Sequence, residues 1–337
     1  MGWPRSRVTG VRAPDLRADL LEYSEWLQRR WGVWTARALA EKGAHMGKSE
    51  QTGSAASEGH CVLAVDVGNT STGFGLFSAD AGETDEPLGT WELTTPARLT
   101  ADEARMQVAQ VLGVLAQDVA GQRSLAPERA ETFAEPPLDA VLSCVVPSLT
   151  EAWSVALATA CRTRPVVVGP GLKTGLRMRY RDPAEIGPDR IADVVAARTA
   201  YGAPVVVVDF GTTMNIEVLD GEGVFLGGII APGLALGAQA LSRAAARLPV
   251  IELHAPKAAI GRSTREAMQS GVVFGEVARV DGLLDRVFTE LGGESRVVLT
   301  GSGAERVAPL MSHAAEVDAT LTLRGLHQLR LGAARRG

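Results

Sequence analysis

Two stretches of this chain repeat each other: V-L-A-V-D-V-G-N-T-S-T-G-F-G-L-F from Val62 to Phe77, and V-V-V-V-D-F-G-T-T-M-N-I-E-V-L-D from Val205 to Asp220. Each opens with an apolar, β-branched run, reaches Asp-x-Gly and a hydroxyl-rich turn, and resumes as a second apolar run. That pattern predicts a strand, a tight turn and a strand, made twice. A repeated hairpin of this kind points to a duplicated nucleotide-binding α/β fold.

The turns carry the chemistry. Gly68 and Gly211 admit backbone angles closed to other residues and let an anionic ligand approach the main chain. Asn69, Thr70, Ser71, Thr72, Thr212 and Thr213 supply short hydroxyl or amide donors around it, a composition suited to phosphate. Asp66 and Asp209 would repel a phosphate unless a cation, or water held by one, lay between carboxylate and ligand. An ordinary Asp-Gly hairpin explains either copy alone; two copies in register favour the phosphate reading.

Composition bounds the rest. A chain of 337 residues, 46% of them hydrophobic, has material for two cores. No apolar run approaches the ~20 residues that cross a bilayer, and the N-terminus places charges where a signal peptide needs an apolar stretch, so a cytoplasmic protein without a membrane partner is expected. Cys61, Cys144 and Cys161 lack C-x-x-C spacing and are expected as buried thiols. The net charge of −5 argues against a nucleic-acid partner.

Residues 1–60 differ in character. Four of the six tryptophans, Trp3, Trp26, Trp31 and Trp34, lie there, and Leu16, Leu20, Tyr23, Leu27, Trp31 and Trp34 recur at helical spacing. A Gly/Ser-rich polar linker follows. The segment reads either as a docking helix or as a dispensable extension with Met46 as an alternative start, and the second reading is preferred. The expected domains are 61–178 and 179–337.

Beyond the first hairpin the pattern is that of an open mixed sheet with helices. Trp91–Thr95 predicts a third strand. The capping box T-A-D-E at Thr100 opens a helix carrying Val108, Val111, Leu112 and Leu115. The strand L-D-A-V-L-S-C-V-V follows, then a second capping box at Ser148–Glu151, a helix to about Cys161, and a strand at Pro165. The second half repeats this order from Val205. It ends in a long helix capped by Ser263 and Glu266 and the strand R-V-V-L-T-G-S-G, whose glycines could pass close to a flat ligand such as an adenine ring.

Between the halves lies Y-R-D-P-A-E-I-G-P-D-R, Tyr180 to Arg190. The periodicity after Asp189 is helical, with Pro188 suited to a helix entrance. Taken alone, an Asp there reads as a cap and its neighbouring Arg as a surface residue.

Eight blocks in order make the reading specific: D-V-G-N-T at Asp66, S-C-V-V-P-S-L-T at Ser143, the Tyr180–Arg190 segment, D-F-G-T at Asp209, G-G-I-I-A-P-G-L at Gly227, A-R-L-P at Ala246, I-G-R-S-T-R-E-A-M-Q-S-G at Ile260 and T-G-S-G at Thr300. Together, from Val62 to Arg330, the series resembles the type III pantothenate kinases. The resemblance implies duplicated actin/heat-shock 70/sugar-kinase-like (ribonuclease H-like) domains, each a mixed sheet flanked by helices. It implies a homodimer that phosphorylates pantothenate with ATP at the first step of coenzyme A synthesis.

By position, Asp66, Val67, Gly68, Asn69, Thr70, Ser71, Thr72 and Gly73 correspond to the ATP-phosphate loop, and Thr212 to a further ATP contact. Asp209 matches a monovalent-cation position for K+ or NH4+, with Mg2+ accompanying ATP. Tyr180, Gly187, Pro188, Asp189, Arg190 and Thr264 match pantothenate-binding positions, with Asp189 as proton acceptor.

Phosphoryl transfer needs a nucleotide cradle, a divalent ion and a base near the acceptor hydroxyl, and each part has a residue here. The chain departs from the family pattern twice. It has G-P-D-R where G-A-D-R is common, and D-F-G-T-T-M-N where D-F-G-T-A-T-T is usual, so Met214 and Asn215 stand where hydroxyls are expected. Two other readings share these residues: a non-catalytic, ligand-sensing relative, and a kinase acting on another small acid or sugar. Tyr180, Asp189, Arg190 and Thr264 together favour the pantothenate kinase.

Overall fold

The chain builds the same sheet twice. In the computed structural model, β1 (Val62–Val67), β2 (Ser71–Phe77), β3 (Gly89–Thr94), β4 (Asp139–Cys144) and β5 (Val166–Val167) line up as β3-β2-β1-β4-β5. The second sheet contains β6 (Arg177–Met178), β7 (Val205–Phe210), β8 (Thr213–Leu219), β9 (Val224–Pro232), β10 (Arg296–Thr300) and β11 (Glu316–Val317), ordered β11-β10-β7-β8-β9-β6. Read from β9 to β11, this is the first order again, with β6 added at the edge. The pairing senses also match. Each hairpin and its third strand are antiparallel, and the fourth and fifth strands run parallel to the first. This is the duplicated architecture that the resemblance implies.

The structure describes residues 61–78, 80–122, 138–245 and 247–335, all in the compact unit Ser57–Gly337. The expected tryptophan-rich helix and linker in 1–60 lie outside the described residues, as does Ala246 of A-R-L-P. Among the described residues, no helix is long and apolar enough to cross a membrane.

Eight α-helices complete the described fold: α1 (Ala101–Gln122), α2 (Pro147–Cys161), α3 (Pro188–Tyr201), α4 (Leu234–Ala244), α5 (Thr264–Gln269), α6 (Gly275–Leu291), α7 (Ala304–Val307) and α8 (Leu321–Ala334). The Thr100 capping box forms as expected: Glu103 Oε2 accepts from the Thr100 backbone N–H at 2.8 Å, and Thr100 Oγ1 accepts from Glu103 N–H at 3.2 Å. The second box does not form. α2 starts two residues earlier than that box would place it, at Pro147, whose fixed φ suits the first helical position, and Val146 is its N-cap without a side-chain bond. Ser263 caps α5 by accepting from Glu266 N–H. The long helix expected to follow is interrupted by a π-helical turn, Ser270–Phe274.

The apolar faces sort into layers. Outside the first sheet, α1 and α2 bury Val108, Val111, Leu115, Trp153 and Leu157 against Leu63, Val65 and Phe74. Outside the second sheet, Val280, Leu284 and Phe288 of α6 meet Val206, Val208 and Ile216. Between the sheets, α3 and α8 form one core with Val62, Ala64, Val141, Val205, Val207 and Val298. Strand alternation therefore aims Asp66, Asp209 and Asn215 inward, toward α3, near the strand ends next to the turns, and Glu217 inward from the middle of β8.

Candidate active site

The first turn closes with Gly68 N–H donating to Ser71 O at 2.9 Å, and the second with Gly211 N–H donating to Thr213 O at 3.0 Å. The turns meet: Thr70 Oγ1 and Thr212 Oγ1 are hydrogen-bonded at 2.8 Å. Asn69 and Thr70 are exposed and Ser71 half-buried, so this rim is open to a ligand. Val67 is core. Thr72 is buried behind the turn, and its hydroxyl pairs with Thr95 Oγ1 at 2.8 Å.

The strand registers explain the two departures in the second turn. Val67 faces Thr72 and Asp66 faces Gly73; Phe210 faces Met214 and Asp209 faces Asn215. Met214 thus takes the place that Thr72 holds in the first hairpin. It is fully buried in the outer core of the second sheet, turned away from the cleft. Asn215 takes the place of Gly73. Its Oδ1 accepts from Thr213 Oγ1 at 3.3 Å, whereas a Cβ placed at Gly73 would meet nothing within 4 Å. The first hairpin leaves open space beside its aspartate and the second fills it with an amide.

Three aspartates from three elements converge here. Burial pushes the Asp66 carboxyl up to about 7, with Asp189 adding to the rise and Ser143 on β4 opposing it. Burial likewise takes Asp209 up to about 7, assisted by Asp189 and Asp66. Asp189 stands in the first turn of α3, behind N-cap Gly187 and Pro188 at the first position. Its pKa is raised by burial, against the Arg190 backbone N–H and guanidinium; that N–H donates to Asp189 Oδ1 at 2.9 Å. Pro188, having no N–H, costs nothing at a helix start, where that donor would be unpaired.

Gly301, at φ 82°, brings the loop after β10 against Asp209: a Cβ there would lie 2.4 Å from Asp209 Oδ1. A Cβ on Gly303 would lie 2.8 Å from Phe210 Cβ. Both glycines therefore let this loop pass close to the end of β7.

Arg190 turns away from Asp189. Its Nε donates to Glu217 Oε1 at 2.8 Å, with side chains 7% and 0% exposed. Burial works against both charges; Glu217 outweighs it at Arg190, and Arg190 partly offsets the rise at Glu217. Arg190 Nη2 and Glu217 Oε2 are buried without hydrogen-bond partners. Glu217 faces Gly228 across the β8–β9 ladder, and a Cβ on Gly228 would lie 2.8 Å from Arg190 Nη2. Tyr180 stacks on Phe225 with centroids 6.0 Å apart and lies against Gly227.

Two acids escaped the sequence reading. Glu217 was legible as a charge inside the apolar strand I-E-V-L. Asp193, one turn after Asp189, is 1% exposed; burial raises its pKa strongly, with Asp209 and Glu217 adding to it, and Thr322 Oγ1 donates to it at 2.6 Å. Thr264 stands apart. It is exposed at the first position of α5, and no hydrogen bond or ion pair joins it to the acids among the described residues.

A divalent ion has chemistry to suit it here. Asp66 Oδ1 is buried without a partner and the Gly73 position beside it is open. Among the described residues no three His, Cys, Asp or Glu side chains are grouped to cage a metal.

Residues 62–286 match the model of the family described as type III pantothenate kinase. Among curated proteins, the type III pantothenate kinase of Thermomicrobium roseum is 38% identical over 268 residues, covering 79% of this chain and 95% of its own. That of Acidobacterium capsulatum is 37% identical over 266 residues, covering 79% and 92%. That of Moorella thermoacetica is 35% identical over 268 residues, covering 79% and 96%.

Proposed function

The chain belongs to the type III pantothenate kinase family, and we propose that the two joined turns, the strand-end aspartates and the start of α3 form its single phosphoryl-transfer site. The reaction is ATP-dependent phosphorylation of pantothenate, the first step of coenzyme A biosynthesis. The observation that carries the site assignment is the meeting of Asp66, Asp209 and Asp189 beside the Thr70–Thr212 contact.

In this reading the β- and γ-phosphates lie along Gly68–Ser71 and Thr212, with Asn69, Thr70 and Ser71 donating; Val67, Thr72 and Gly73 form the floor of that loop. Asp189 takes the proton of the acceptor hydroxyl, and its raised pKa makes it a stronger base than an ordinary carboxylate. Gly187 and Pro188 set the helix entrance that aims it. Tyr180 and Arg190 hold the pantothenate body and acid end. Asp66 would hold Mg2+ directly or through water, and Asp209 a K+ or NH4+; these cations would neutralise the phosphate charge.

We take 61–178 and 179–337 as the two domains, with β6 at the joint. We further propose a homodimer. Ile230, Leu236, Leu241, Val250 and Ile260 are exposed apolar side chains on β9, α4 and the segment leading to α5, and Arg265 beside Thr264 donates to Val250 O at 3.1 Å. A second copy on this face would bring Thr264 to its neighbour's cleft and help exclude water. A coupled assay of pantothenate-dependent ADP formation, with and without potassium or ammonium, tests the reading; no pantothenate-dependent turnover under any of these conditions would overturn it.

A further inference from the structure

We propose that Glu217 is a positioning residue: it holds the Arg190 guanidinium along Gly228 and off Asp189, so that Nη2 is presented to the acceptor substrate. The inference rests on the assignment of Arg190 to the substrate side, but its observations are separate. Arg190 follows Asp189 directly, and a guanidinium on a flexible stem beside a carboxylate pairs with it by default. Here the two side chains do not pair. Asp189 accepts the Arg190 backbone N–H, while the guanidinium reaches across to Glu217 on β8 at 2.8 Å.

Three features fix that geometry. Glu217 is wholly buried and opposite Gly228 in the ladder. A Cβ on Gly228 would come within 1.9 Å of Ile216 O and 2.8 Å of Nη2, so glycine provides the groove in which the guanidinium lies. Nη2 is buried and without a hydrogen-bond partner. A buried cation donor left unpaired is costly unless something arrives to accept from it, and in a kinase for a small acid the arriving group is an oxygen of that acid. With Nε tied to Glu217 and the Tyr180 hydroxyl also acting on the guanidinium, Nη2 is held in one orientation instead of many.

Without Glu217, the carboxylate left to the Arg190 guanidinium is that of Asp189, its sequence neighbour, on which it already acts. Pairing with it withdraws the donor from substrate. Glu217 therefore acts through Arg190 and touches no reacting atom.

The test uses the full chain and three variants: Glu217→Gln, Arg190→Gln and the double substitution. Glu217→Gln is expected to raise KM for pantothenate at least ~10-fold, the scale on which breaking one side of a buried charge pair is felt, with kcat changed less and KM for ATP within about 2-fold. The double variant is expected to be no worse than Arg190→Gln alone, because a residue acting only through Arg190 has nothing left to position. Thermal melting should place the double variant above Glu217→Gln, since removing both charges leaves none uncompensated, which keeps the comparison available if the single variant folds poorly. A crystal structure of Glu217→Gln should show the guanidinium displaced from Gly228. A parent-like pantothenate KM in Glu217→Gln, strictly additive losses in the double variant, or an unmoved guanidinium would each overturn the inference. An inactive parent protein would overturn the kinase reading instead, and the guanidinium position would still be decided by the crystal structure.

Discussion

Thr70 and Thr212 lie 142 positions apart in sequence, and their hydroxyls are hydrogen-bonded at 2.8 Å. This is the point at which the duplicated hairpins close on one another. Gly233 N–H donates to Thr212 O at 3.1 Å and anchors the second turn from behind. In the proposed site, a hydroxyl shared between the two turns can also donate to a phosphate lying across both. Thr70→Val and Thr212→Val should each raise KM for ATP roughly 10-fold, about the value of one lost hydrogen bond to a charged group, with little change in KM for pantothenate. Equal rises in both constants would mean that the contact supports the whole cleft.

Asp189→Asn should keep the fold and both substrate KM values near the parent, while kcat falls at least ~10²-fold, because an amide cannot accept the hydroxyl proton. Since burial raises the Asp189 pKa, the acid limb of the parent kcat profile should lie above the ordinary carboxylate range. Near-parent turnover by the purified variant is the result that excludes Asp189 as the base. Asp193 makes a telling comparison. Burial raises its pKa strongly, against the hydrogen bond it accepts from Thr322, so burial favours the neutral form and an amide is the closest substitute for it. Asp193→Asn should cost far less activity than Asp189→Asn.

The hairpins, the helix entrance at Pro188 and the capping box at Thr100 were legible because local patterns dictate them. The failed box at Ser148 shows two local signals competing, with proline at the first helical position winning. The site was only partly legible. Met214 and Asn215 looked like losses from a phosphate loop, yet strand alternation turns Met214 into the outer core and leaves Asn215 facing the cleft. Side-chain direction depends on where the turn ends, which sequence reads to within a residue or two. Glu217 and Asp193 were missed because their importance comes from burial between two sheets, a tertiary fact.

Asp209 is the last residue but one of β7, with its carboxyl buried near two other acids. A monovalent cation there would remove a like-charge repulsion against bound triphosphate. Turnover should rise strongly with potassium or ammonium and weakly with sodium, and Asp209→Asn should lose most of the activity and most of the cation response. ATP saturation across a potassium series at fixed Mg2+ and constant ionic strength measures this. A flat response at normal turnover would leave Asp209 without a cation role.

The same acids set a pH dependence of stability. Asp66 and Asp209 have native pKa values of about 7, against ~3.9 in an unfolded chain. Between these values the native state holds protons that the unfolded chain has released. Their contribution is therefore complete below about pH 4 and is lost as pH rises toward 7. In ligand-free protein at low potassium, the Tm of the parent should fall on the order of 5 °C between pH 5.5 and 8. Mg2+, ATP and potassium together should flatten that slope, because bound cations compensate the ionised forms. Asp66→Asn should melt above the parent at pH 8 while losing turnover, the behaviour of a charge kept for function at the expense of stability. Melting curves across this range decide the matter: a parent Tm independent of pH, or an Asp66→Asn variant less stable than the parent at pH 8, would show that the strand-end carboxylates are already neutralised within the fold.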